Sequence, residues 1–178
     1  IIADMMQFEE APLFPHADGS TPDPKKAEAR LNRWEIDLSS NSGKIKKNYL
    51  DEDIGEFPRL DERFSMLNYR HGFYASSIGD HPPGMGFNSI THQDHQTQKK
   101  EFFVLKNKGD AVGEPIFVPS SKDSEEGDGY LIALAYRGNE NRSDLIIFNA
   151  MDVTSGPIAT AHLPHRIPYG FHGNWRQG

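Results

Sequence analysis

Apolar residues recur along the chain in short runs rich in aromatic and β-branched side chains, and polar clusters separate them. Segments Arg30–Leu38, Asn68–Ser76, Phe87–Thr91, Glu101–Leu105, Pro115–Val118, Tyr130–Tyr136 and Asp144–Asn149 each read as a strand. Gly-, Pro-, Asn- and Asp-rich clusters bound them as turns: SSNSG, GDHPPGMG, KNKGD, SSKDSEEGDG, RGNENRS and TSGP. One stretch, Pro24–Ala29, has helical character but is shorter than two turns. The acidic stretch Asp123–Asp128 reads as a solvated loop. The predicted class is all-β.

The strand pattern repeats. Asp37, Asp94 and Asp152 each end an apolar run and lead into a turn, at separations of 57 and 58 residues. Glu56, Glu114 and His172 form a second series at separations of 58 and 58, each in a short Gly/Pro-bounded apolar segment where a strand would begin. Between the markers the order recurs: a GEFP or GEPIFVP strand, then YRHGFYAS or GYLIALAY, then the Asp-terminated strand. A fourth, such as KKEFFVLK or GPIATAHLP, completes the set. Four antiparallel strands per unit is the format of a β-propeller blade, here an unusually large one. The first strand of each blade lies beside the propeller axis, so the period predicts that Glu56, Glu114 and His172 face one axial site. Two carboxylates and an imidazole converging there suggest a metal centre. The alternative is that Glu56 and Glu114 only accept hydrogen bonds from neighbouring backbone amides.

Composition narrows the chemistry. The formal charge of −7 argues against a nucleic-acid surface, since phosphate backbones are held mainly by Lys and Arg. With no cysteine, disulfides, thiolate metal sites and Cys nucleophiles are excluded. No run is long and apolar enough for a membrane span, and no signal peptide is visible, so a cytoplasmic location is expected. The chain opens on Ile1 in the apolar run IIADMM, which reads as part of something longer.

The strings LNRWEIDL, GEFPRLDER, YRHGFYA, GEPIFVP, EEGDGYLIALAY, LIIFNAMD and GPIATAHLPHRIPYGFHGNW, with PLFPHADGS near the start, resemble the carotenoid cleavage oxygenase family. The resemblance is strongest to its bacterial lignostilbene dioxygenase branch and covers nearly the whole chain in order. It implies a seven-bladed propeller whose axial Fe(II) is held by four His, three of them hydrogen-bonded by Glu. On this match His172 resembles the fourth iron ligand, while Glu56 and Glu114 resemble two of the carboxylates behind ligand His. The resemblance thus implies that the Glu orient His ligands and raise their basicity instead of binding metal themselves. The other three ligand His and the third Glu are then expected upstream of Ile1. Residues 1–178 would be the C-terminal part of one propeller domain, about three of its seven blades, with the N-terminal part absent. The implied reaction is Fe(II)-dependent cleavage of a C=C bond by O2 to two carbonyl products. A stilbenoid is the first-choice substrate and an apocarotenoid the second. Homo-oligomerisation is left open, and the 178 residues alone are expected to be inactive.

The remaining candidates have plainer readings. His92 and His95, flanking Asp94, could suggest a small metal site, but an exposed strand end is the preferred reading; His162 and His165 read as loop packing. His16 and His71 match no ligand. Gly170 and Gly173 are expected to allow close backbone approach around His172, and Trp34 and Trp175 to pack in a core or between blades. Two rival functions stand beside the oxygenase: a hydrolase using Glu56 and Glu114 as an acid/base pair, and a non-catalytic propeller scaffold.

Overall fold

The computed structural model describes residues 1–39, 43–81 and 86–176. The central residues of the predicted turns SSNSG and GDHPPGMG lie outside the described residues. The chain divides into two compact units, Ile1–Glu56 and Phe57–Gly178.

The first unit is an antiparallel meander of β1 (Ile2–Gln7), β2 (Arg30–Ile36) and the longer part of β3 (Ile45–Leu60), a strand that runs through the division. Cross-strand chemistry sets its register. Asp4 lies opposite Arg33 and accepts two hydrogen bonds from its guanidinium, at 2.7 and 2.6 Å. Trp34 donates its indole N–H to Gln7 (3.0 Å), and the Lys47 ammonium sits 4.2 Å from the centre of the Trp34 ring, on the strand opposite. Trp34 is half-buried in these pairs. Residues 24–27 form turns and not the expected helix: Lys26 and Ala27 both donate to the Asp23 carbonyl, and no further turn follows. A single hydrogen-bonded turn does not recover the entropy of helix nucleation.

The second unit holds β4 (His71–Ser77), β5 (Ser89–Asp94) and β6 (Lys100–Val104) in one antiparallel run. Its other sheet contains β7 (Ala111–Val112), β8 (Ile116–Pro119), β9 (Gly129–Arg137), β10 (Arg142–Asn149) and β11 (Ala159–His162). β8, β9, β10 and β11 form the four-stranded meander that the repeat predicts. β7 and β8 pair with successive stretches of the same edge of β9, so they are one strand interrupted at residues 113–115. Alternation along β9 divides its faces: Leu131, Ala133 and Ala135 are buried, whereas Tyr130 and Leu134 on the opposite face are exposed. The buried face joins Phe73, Ala75, Ile90, Ile146, Phe148 and Val153 in one core. Phe73 stacks on Phe117 with ring centres 5.7 Å apart.

The three repeating Asp share one local role. A carboxylate oxygen of Asp37 accepts from the Ser39 amide, Asp94 from Gln96, and Asp152 from Ser155, at 2.9, 2.9 and 3.3 Å. Each therefore shapes the turn after its strand, which is why the residue recurs.

Several expectations fail. His92 is not at an exposed strand end, because β5 lies between β4 and β6 and is buried along its whole length. The His92 ring stacks on Phe73 and its Nε2 lies 2.9 Å from Nδ1 of buried His71. His162 is not in a loop: it lies on β11 opposite Asp144, whose carboxylate its Nδ1 meets at 2.9 Å. The acidic loop is pinned as well as solvated. Arg63 donates to the carbonyls of Ser121, Lys122 and Ser124, and Glu126 accepts the Arg70 and His71 amides. Trp175 is half exposed, since the segment that carries it is not in a strand.

Candidate metal centre

Glu114 occupies the break between β7 and β8, flanked by Gly113 and by Pro115, which has no N–H to contribute to the ladder. Its side chain is 6 % exposed, and both oxygens are engaged. Oε1 accepts from Arg59 Nε at 2.8 Å and lies 3.2 Å from His172 Nδ1; Oε2 accepts the Gly173 amide at 2.7 Å. Burial pushes the Glu114 carboxyl up, but the Arg59 guanidinium, the Gly173 amide and His172 outweigh it and hold the group below its ordinary range.

A carboxylate can only accept, so His172 Nδ1 carries a proton, and in the neutral imidazole Nε2 is the nitrogen left with a lone pair. That is the tautomer a metal-binding imidazole needs, with a carboxylate behind it to orient the ring. The His172 side chain is 74 % exposed, leaving Nε2 open to a ligand, and the Phe57 ring meets the imidazole edge-on at 5.9 Å. Glu114 and His172 therefore fit one ligand's share of a metal centre. Among the described residues, no group of three or more His, Asp or Glu is arranged to hold an ion.

Of the three periodic residues, the structure brings Glu114 and His172 together across 58 positions of sequence. Glu56 is half-buried in β3, as the last residue of the first unit. His172 does not begin a strand: residues 163–176 are irregular, and Pro164 and Pro168 interrupt any ladder. The two flanking glycines differ. A side chain at Gly173 would meet Ile116 Cδ1 at 2.7 Å, the expected close approach, whereas Gly170 has open space around its Cα.

Sequence reasoning missed Arg59. It lies in the GEFPRLDER string, three residues past Glu56, and the available signal was that a buried carboxylate calls for a matching cation. It missed the His71–His92 pair for a different reason, since only the β4–β5 register places Phe73 opposite His92 and sets the two imidazoles against each other.

Beside His172 runs an apolar groove of about 160 Å³ between the exposed face of β9 and the segment 167–173. Ile116, Leu134, Leu145, Tyr136 and Tyr169 line it.

Known proteins share this arrangement of sequence and fold. The family model described as retinal pigment epithelial membrane protein, RPE65, matches residues 1–177. An isoeugenol monooxygenase of Pseudomonas putida is 36 % identical over 99 % of this chain and 38 % of its own length. The crystal structure of a Pseudomonas brassicacearum lignostilbene dioxygenase superposes with a TM-score of 0.89 at 34 % identity, over 99 % of this chain and 39 % of that one. That of the cobalt-substituted Synechocystis ACO gives 0.85 at 27 %, over 99 % and 36 %. The chain thus spans well under half the length of the relatives it matches. A family model covering nearly all of it, and an all-β antiparallel fold matching solved family structures, lead to one conclusion: the chain belongs to the RPE65, or carotenoid cleavage oxygenase, family.

Proposed function

We propose that the full-length protein is a non-haem Fe(II)-dependent dioxygenase that cleaves a C=C bond with O2 to give two carbonyl products, and that His172 is one of its iron ligands. The observation that carries this reading is the Glu114–His172 pair, a carboxylate held anionic behind an imidazole whose second nitrogen is free. Glu56, from its equivalent phase in the repeat, is assigned the same orienting role behind a His beyond these residues. The repeat of about 58 residues and the 38 % share of the isoeugenol monooxygenase's length support a chain of about three blades of a seven-bladed propeller, the C-terminal part of one domain. Two relatives, an isoeugenol monooxygenase and a lignostilbene dioxygenase, are named for substrates with aryl-substituted double bonds, which favours a stilbenoid over an apocarotenoid.

Bound iron would supply a redox-active, Lewis-acidic site for O2. The chain's own residues prepare it. Glu114 accepts the hydrogen bond from His172 Nδ1–H and so fixes the orientation of the ring; Gly173 donates its amide to the same carboxylate and fixes the backbone beside the imidazole. The rival hydrolase is less well supported. An acid catalyst needs a raised pKa, whereas Glu114 is lowered and hydrogen-bonded on both oxygens.

In the full-length protein, His172→Ala should abolish stoichiometric iron and stilbenoid cleavage together, read by metal analysis and by the carbonyl products. Retention of both would show that His172 is not a ligand.

A further inference from the structure

Arg59 spans the structure around His172 more completely than a simple counter-ion would. Its Nε donates to Glu114 Oε1 at 2.8 Å, its Nη2 to the Gly173 carbonyl at 2.6 Å, and its Nη1 to Glu62 at 2.8 Å. Glu114 in turn accepts the Gly173 amide. Both backbone polar groups of the residue after His172 are thus held, the N–H by Glu114 and the C=O by Arg59, while the two holding side chains are bonded to each other. The irregular segment 163–176 gives His172 no strand ladder of its own. Its orientation therefore depends on this closed ring of contacts. The guanidinium side chain is 20 % exposed and the carboxylate 6 %, so solvent competes weakly for either.

We propose that Arg59 is a positioning residue for the metal ligand. It clamps the Gly173 carbonyl and the Glu114 carboxylate at once, so that His172 is presented to the metal in a single orientation before any ion binds. Pre-ordering a ligand in this way raises affinity by removing the ordering cost from the binding step. Only a planar fork with separated donors can span the two acceptors; the single ammonium of lysine keeps the charge but not the span. The inference rests on His172 being a ligand and adds a residue that would act through it.

Co(II) titration of the full-length apoprotein, followed by visible absorption, tests this without turnover, because Co(II) bands report both affinity and ligand geometry. Arg59→Met should weaken Co(II) binding by about 10–100-fold, the range seen when outer partners of ligating His are removed, and should alter the spectrum. Arg59→Lys should recover only part of the loss. Glu62→Gln, at the exposed third arm of the guanidinium, should leave affinity and spectrum unchanged. Wild-type affinity and spectrum in Arg59→Met would overturn the proposal. So would full recovery in Arg59→Lys, which would reduce the role to charge, or failure of both variants to fold, which would make Arg59 purely structural. His172→Ala separates the two ideas. If it binds Co(II) like the wild type, the ligand assignment itself fails; if it loses Co(II) while Arg59→Met does not, only the clamp fails.

Discussion

Glu114 is a carboxylate with almost no contact with water, and such a group persists as an anion only when fixed donors replace its hydration. Arg59, Gly173 and His172 are those donors. Glu114→Gln keeps the volume but removes the charge and turns one accepting oxygen into a donating NH2. It is expected to weaken iron affinity or activity by about 10–100-fold, and Glu56→Gln by a similar factor. An acid/base pair in a hydrolase would instead lose nearly all turnover while metal content stayed constant, so measuring both on the same preparations separates the readings. At this scale the 58-residue spacing marked Glu56, Glu114 and His172, and the structure brings the last two of them together. Arg59 carries no such mark: its role comes from side-chain reach, and periodicity does not report reach.

Between elements, the pairing of β4 with β5 creates a titratable core. His71 Nδ1 and His92 Nε2 lie 2.9 Å apart, so one nitrogen must donate and the other accept, and the pair cannot be doubly protonated in this geometry. Burial first, and then the neighbouring His71, pull the His92 imidazole down to about 4; Glu101 and Asp94 oppose the shift and Lys99 adds to it. Burial also lowers His71, against Glu126 and Asp94 and with Arg70. An unfolded His takes up a proton near pH 6.5, whereas folded His92 resists until about pH 4. Protons in that window favour the unfolded chain, so stability should fall from pH 6.5 to 4, by roughly 3 kcal/mol at most from His92, and no further below that from this group. Urea unfolding across pH 4–8 measures the slope, and His92→Gln should flatten it; an unchanged slope would place its source elsewhere. Strand identity was legible from alternation and turn chemistry. The burial of β5 on both faces was not, because THQD reads as the polar end of a strand until β6 and the second sheet cover it.

At the scale of the whole chain, large apolar side chains remain exposed: Ile1, Ile2, Leu13 and Phe14 in the first unit, Leu134, Ile158, Phe171 and Trp175 in the second. Where such side chains gather into a patch, they favour association. Among the described residues, one imidazole backed by a carboxylate is the whole contribution to the proposed iron centre, too little to hold Fe(II) against water. The isolated 178 residues are therefore expected to self-associate or aggregate, to bind no stoichiometric iron and to show no oxygenase activity. Size-exclusion chromatography with an Fe(II) titration checks this. A monodisperse monomer binding one equivalent of iron would require His172 to recruit other His of this chain, with His162 and His165 first in line, and would overturn the partial-propeller reading.

Local pattern by itself determined the all-β class, most strand positions and the turn-forming Asp residues, because alternation, Gly/Pro punctuation and Asx chemistry act over a few residues. It also carried the family resemblance, which the matching of residues 1–177 bears out. Tertiary structure alone decided that β7 and β8 share one edge of β9, that His172 stands in an irregular segment instead of at a strand start, and that Arg59 closes the ring behind it. The shared edge rests on pairs 10 to 25 positions apart and the ring on contacts 55 to 114 positions apart, and such contacts are set by how strands and segments pack, not by the residues beside them in the chain.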